Sequence, residues 1–181
     1  TDDQGHATDL IAAEAVRLIE QKRNQPLFLY VTFSVPHTPL SEERRWTALY
    51  QKAFPEETRR LVGASISHMD DAIGRMVAAL DRTGLRENTL IIFTTANGGP
   101  QKVSPSDEYE GRYKHQNGPH SDNGPLRGWK GDTYEGGVLG PALVNWPAKL
   151  KPRTENAVFS ALDWLPTLAA LTGFETTTEM K

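Results

Sequence analysis

Apolar residues recur at helical spacing in ATDLIAAEAVRLIEQKR, where Leu10, Ile11, Ala15, Leu18 and Ile19 fall on one face. The pattern predicts a helix over 7–23, with Thr8 as its N-cap. PLFLYVTF (26–33) is a short continuous apolar run opened by Pro26. Its length and aromatic content predict a strand buried on both faces, as in a parallel sheet. In SVPHTPL, Pro36 and Pro39 bracket His37 and predict a rigid loop at the strand's end. Val62, Met69, Ile73, Met76, Val77 and Leu80 keep helical spacing, so a second helix is expected over about 56–81, with Gly84 able to close it. NTLIIFTT (88–95) reads as a second buried strand.

Residues 96–137 break the pattern. They hold nine glycines and four prolines without sustained periodicity. A loop that long inside a compact domain is usually functional or disordered. VLGPALVNWP (138–147) reads as a third strand, which Gly140 and Pro141 make an edge strand or a bulged one. ALDWLPTLAALTG closes with a helix: Asp163 suits the cap region, Pro166 the first turn and Gly173 the stop. The ending, 174–181, is a polar tail. Strands alternating with helices give an α/β class, a mostly parallel sheet flanked by helices, formed by one domain over 1–173. In such folds ligands collect beyond the carboxyl ends of the strands, where His37 and the pair Ala96-Asn97 fall.

Composition adds exclusions. With 20 basic and 23 acidic residues the net charge is −3, which offers no electrostatic reason to expect nucleic acid or an anionic membrane as partner. No apolar run approaches the roughly 18 residues of a membrane span, and the start does not read as a signal peptide. The absence of cysteine rules out disulfides, thiolate metal sites and a cysteine nucleophile within these 181 residues. A chain opening at Thr1 is expected to be processed, trimmed or part of something longer.

Three residues carry candidate chemistry. A neutral imidazole at His37 suits hydrogen bonding to an anion, protonation of a leaving group or metal ligation; the alternative is a histidine that only caps a strand. Asn97 offers an amide oxygen, a hard ligand for Ca²⁺ or Mg²⁺, although Asn-Gly is also a common turn pair. Lys130, between Gly128 and Gly131, suits a phosphate or sulfate oxygen, or is a surface lysine.

The order of five blocks is more specific than any of these residues. PLFLYVTFSVPHTPL, MDDAIGRMVAALDRTGLRENTLIIFTTANGG, NGPLRGWKGDTYEGG, WPAKLKP and DWLPTLAALTG resemble the middle-to-late part of the catalytic domain of the sulfatase family, in its arylsulfatase-type branch within the alkaline phosphatase-like superfamily. The resemblance runs from about Gly5 to Gly173. It implies hydrolysis of a small-molecule or glycan sulfate ester by a formylglycine hydrate, with a divalent cation, usually Ca²⁺, holding the sulfate and the nucleophile. A related phosphoesterase is the weaker enzyme alternative. By resemblance His37 contacts the sulfate and leaving-group side, Lys130 contacts the sulfate, and Asn97 binds the metal. Export to the periplasm or the extracellular space is expected from the resemblance alone.

The chain departs from the family pattern at a metal ligand. The family usually writes Ser-Asp-Asn-Gly where this chain has Thr95-Ala96-Asn97-Gly98, and Ala96 has no oxygen to offer, so weakened metal binding is expected. Ser121-Asp122-Asn123-Gly124 repeats the motif downstream without a preceding strand. Asp122 is therefore a low-ranking substitute ligand and Asn123 an ordinary loop residue. Leu139 replaces a common arginine, a change of local support. The formylglycine motif, Cys or Ser followed by x-Pro-x-Arg, is absent, and Asp2-Asp3 matches the family's aspartate pair only by coincidence. These departures predict a chain inactive by itself. It is either part of a sulfatase completed by the rest of its domain, or a non-catalytic module that binds sulfate or phosphate ligands, or a vestigial pseudo-sulfatase.

Overall fold

The computed structural model describes residues 5–102 and 120–174. Asp2-Asp3, the centre of the Gly-rich loop with VSPSD, and the tail beyond Phe174 lie outside the described residues. Two units are distinguished, 1–150 and 151–181.

In the first unit α1 (Ala7–Glu20) packs on α3 (Glu57–Arg82). Small residues permit the approach: Ala12 and Ala15 on α1, and Ala64, Ala72 and Ala79 on α3, are all buried. Ile19, Ala79 and Leu80 form the buried centre, against which Val16, Leu29, Met76 and Ile91 pack. Truncating such a residue, as in Leu80→Ala, costs about 2–5 kcal/mol. The N-cap of α1 is His6 rather than Thr8: His6 Nδ1 accepts the Thr8 backbone N–H at 3.3 Å, and Thr8 lies buried inside the first turn. At its other end α3 closes as expected. Gly84 takes φ +69°, a left-handed conformation cheap for glycine, and the Leu85 N–H reaches back to Leu80 O at 2.9 Å. Between the long helices lie α2 (Arg44–Thr47) and a 3₁₀ turn, Ala48–Tyr50. Tyr50 is anchored on α3 by a 2.7 Å hydrogen bond between its hydroxyl and Ser67 Oγ.

The sheet differs from the expectation of a mostly parallel one. Among the described residues β1 (Ile91–Thr94) pairs with β2 (Ala142–Asn145), and the pairing is antiparallel, with Ile92 opposite Val144 and Phe93 opposite Leu143. Residues 26–33 form no ladder among the described residues. They alternate instead, with Leu29, Val31 and Phe33 half-buried while Phe28 and Tyr30 are 81% and 80% exposed. The continuous apolar run therefore has one covered face, not two. Leu29 meets the core that the helices build, and no layer of the described residues covers Phe28 and Tyr30. The third expected strand is shortened at its start. Residues Glu135–Val138 form a one-turn helix, α4, and β2 begins only after Gly140-Pro141, as an exposed strand.

In the second unit Ser160 and Asp163 form a capping box around the 3₁₀ turn Ala161–Asp163, with Ser160 N donating to Asp163 Oδ2 at 2.6 Å. The helix α5 (Trp164–Thr172) follows, with Pro166 in its first turn and Gly173 as its C-cap.

Candidate functional site

Strand β1 delivers the chain to Ala96 and Asn97, both exposed. From Gly98 onward the backbone runs against the returning Gly-rich loop. Gly98 N donates to Gly137 O at 2.9 Å, and Lys130 N donates to Gly99 O at 3.0 Å. The approach is closer than any side chain permits, since a Cβ on Gly98 would stand 1.9 Å from Gly136 O. Lys130 itself sits on a tight turn. Asp132 N donates to Trp129 O at 2.8 Å, Asp132 Oδ2 accepts from Trp129 N at 2.9 Å, and Gly131 takes φ +100°. The turn leaves the residue Lys130 exposed.

His37 is exposed on its proline-bracketed loop, with Nδ1 2.7 Å from Thr38 O. That loop is joined to the Gly-rich segment through His120. The His120 side chain is buried, its Nε2 donates to Pro36 O at 3.1 Å, and its Nδ1 accepts from Ser121 Oγ at 2.9 Å. The backbone of His120 is held as well: its N–H donates to Gln101 O at 3.1 Å and its carbonyl accepts from Arg59 at 2.7 Å. Burial pushes the His120 imidazole below its ordinary range. The Pro36 carbonyl opposes this, while His37, Arg59 and Lys130 add repulsion in the same direction as burial.

Asn123 is the second hub. Its two Nδ2 hydrogens are shared among the carbonyls of Gly99, Gly128 and Gly136 at 3.1, 3.0 and 2.8 Å, and its Oδ1 accepts from Gly99 N at 3.2 Å. The residue expected to be ordinary instead satisfies backbone groups of three strands of loop. Its one legible signal is an amide in a segment crowded with glycines, whose backbone groups need partners. His120 carried no signal beyond its residue type. Asp122, the substitute metal ligand, is exposed and has Oδ1 engaged with Gly124 N at 2.9 Å, in an Asx turn.

The Sulfatase family model matches residues 2–174. This chain belongs to the sulfatase family. It is 33% identical to steryl-sulfatase of Mus musculus over 175 residues, 96% of this chain and 26% of that protein. It is 38% identical to arylsulfatase A of Homo sapiens over 154 residues, 84% of this chain and 26% of that protein. The crystal structure of Ps i-CgsB in complex with k-i-k-neocarrahexaose superimposes with a TM-score of 0.81 at 31% identity, covering 99% of this chain and 37% of that one. The sulfatase chain thus spans about a quarter of the length of these curated relatives. Among its described residues no helix is long and apolar enough to cross a membrane.

Sulfatases commonly use a divalent cation and a formylglycine, and neither group fits the donors of this chain alone. At the strand end the oxygen donor is the Asn97 amide, with its Nδ2 on Gly98 O at 2.7 Å, beside an alanine. Ca²⁺ takes six to eight oxygens, commonly including carboxylates. For the formylglycine there is no cysteine and no Ser-x-Pro-x-Arg.

Proposed function

We propose that this chain is part of a sulfatase catalytic domain that hydrolyses sulfate esters once the rest of the domain is present, and that by itself it is inactive. The supporting observation is the stitching of three loops. The His37 loop is bonded to His120, and the Asn97 strand end is bonded through Gly98 and Gly99 to the loop of Lys130. An imidazole and an ammonium facing one ester would together stabilise an anion and the leaving oxygen. In this reading His37 serves the leaving-group side and Lys130 neutralises the sulfate. Asn97 would offer one oxygen to a divalent cation, whose other ligands, like the formylglycine, would have to be supplied by residues beyond these. The one-sided cover of residues 26–33 fits the same reading: the exposed Phe28 and Tyr30 await the rest of a mostly parallel sheet. The substrate is a small-molecule or glycan sulfate ester, and the site of action is periplasmic or extracellular.

The test is hydrolysis of an aryl sulfate and of sulfated oligosaccharides by the full-length protein, carrying its formylglycine. His37→Ala and Lys130→Ala are each expected to lower kcat by about 10²–10³-fold. Turnover unaffected by either change would overturn the role of that residue.

A specific observation also favours a second reading, a sulfate- or phosphate-binding module without catalysis: Ala96 removes a carboxylate from the metal position. Under that reading sulfate raises the Tm of the full-length protein, Lys130→Ala abolishes the shift, and no ester is cleaved.

A further inference from the structure

A second cluster lies in the first unit, on residues that the sulfate site does not use. His6 precedes α1, Glu42 precedes α2, and His68 sits midway along α3. The side chains of Glu42 and His68 are fully buried, with Glu42 Oε2 2.9 Å from His68 Nδ1. The other oxygen, Glu42 Oε1, is buried 3.5 Å from His6 Nε2 and has no hydrogen-bond partner among the described residues. Leaving a buried charged acceptor unsatisfied costs about 1–3 kcal/mol or more. Native proteins usually answer such a group with a water or an ion.

We propose that His6, Glu42 and His68 form a binding site for a divalent transition-metal ion of the Zn²⁺ class, distinct from the position of Asn97. The donor types are those such an ion prefers, two imidazoles and a carboxylate. Their ligand atoms lie within 4.8 Å of one another. Two ligands at about 2.0–2.1 Å from a tetrahedral ion stand about 3.3 Å apart, close to the 3.5 Å between His6 Nε2 and Glu42 Oε1. The outer layer fits as well. Behind His68, Nε2 faces Asp9 Oδ2 at 3.2 Å, and Arg75 donates to Asp9 Oδ1 at 2.6 Å. A carboxylate on the far nitrogen of a ligating histidine sets its tautomer and orientation. Trp46 stacks on the His68 ring at 5.0 Å and 18°, and His6 meets that ring at 4.5 Å, so both imidazoles are confined by packing.

Loading has a definite proton cost. Without the ion His6 Nε2 lies 2.7 Å from Ser41 O, while Nδ1 accepts from Thr8 N. Ligation through Nε2 moves the ring proton to Nδ1, which gives up the Ser41 bond and the 3.3 Å cap bond. Ligation through His68 Nδ1 would replace its 2.9 Å contact with Glu42 Oε2, and any proton held there would pass to solvent.

The experiment is a Co²⁺ titration of the metal-stripped full-length protein, read by the d–d absorption of the bound ion and by its displacement with Zn²⁺. Of the Co²⁺ bound, one equivalent is expected to show tetrahedral-type bands. Glu42→Gln and His6→Asn should each weaken Co²⁺ by about 100-fold or more, and Asp9→Asn by about 10–100-fold. Asparagine retains a capping side chain ahead of α1, so His6→Asn decides alone if circular dichroism shows Glu42→Gln unfolded. Asn97→Ala should leave the titration unchanged. Absence of saturable Co²⁺ bands, equal affinity in His6→Asn, or loss of the bands in Asn97→Ala would each overturn the proposal.

Discussion

His120 donates its Nε2–H to the carbonyl of Pro36 across 84 positions of sequence, at 3.1 Å, and so ties the Gly-rich segment to the loop that presents His37. The ring is held neutral there by burial first, with His37, Arg59 and Lys130 repelling an added proton and the Pro36 carbonyl partly opposing them. The folded-state pKa is lowered, so the unfolded chain binds the proton more readily. The stabilising contribution is therefore complete above the unfolded value, about 6.5, and is lost as pH falls through the folded value. The Tm should drop as pH falls below about 6.5 more steeply in the parent than in His120→Gln. Equal slopes would mean that His120 does not set this pH dependence. Asp9 titrates in a separate window: its carboxyl is held low, so its contribution is present above about pH 3.9 and disappears only in stronger acid.

Asn123→Ala strips the donor from three carbonyls at once. Chemical denaturation should show a loss of about 1–3 kcal/mol, the cost of leaving part-buried acceptors unsatisfied. Asn123→Asp keeps the shape but turns an oxygen toward those carbonyls, and should be no less damaging. A variant as stable as the parent would mean that water replaces the amide without loss.

Gly136→Ala tests the close approach directly. The new Cβ would stand 2.1 Å from Gly128 O and 2.7 Å from Arg127 O, both backbone atoms that cannot swing away. A destabilisation of about 1–3 kcal/mol is expected. Gly74→Ala on α3 meets nothing within 4 Å and removes a helix-interior glycine, so it should stabilise by about 0.5–1 kcal/mol. The two glycine substitutions should therefore shift the unfolding midpoint in opposite directions.

Ala96→Asp restores an oxygen donor at an exposed strand end beside Asn97. Calorimetric Ca²⁺ titration of the full-length protein should show tighter binding by roughly tenfold, about 1.4 kcal/mol, because ligand count and negative charge rise together. Identical isotherms would mean that Ala96 does not occupy a metal-ligand position.

Much of the fold is written locally. The presence of α1 and α3, the stop at Gly84 and the cap region at Asp163 depend on residues a few positions apart, so period and cap chemistry suffice to find them, but the buried face of α1 runs through Thr8, Ala12, Ala15 and Ile19, and Leu10 of the expected stripe is exposed. The ordered blocks also carry the family, and with it His37, Asn97 and Lys130 as candidates. The cap of α1 lies two residues before the expected Thr8, because both Thr8 and His6 offer a capping atom and only the packed structure shows which one is used. Tertiary structure alone decided the antiparallel partner of β1, the single covered face of residues 26–33, the work of Asn123 and His120, and the meeting of His6, Glu42 and His68. These outcomes rest on contacts between residues tens of positions apart. Their energy comes from satisfying buried backbone and polar groups, and which groups become buried is set by the packing of the whole unit rather than by any local stretch.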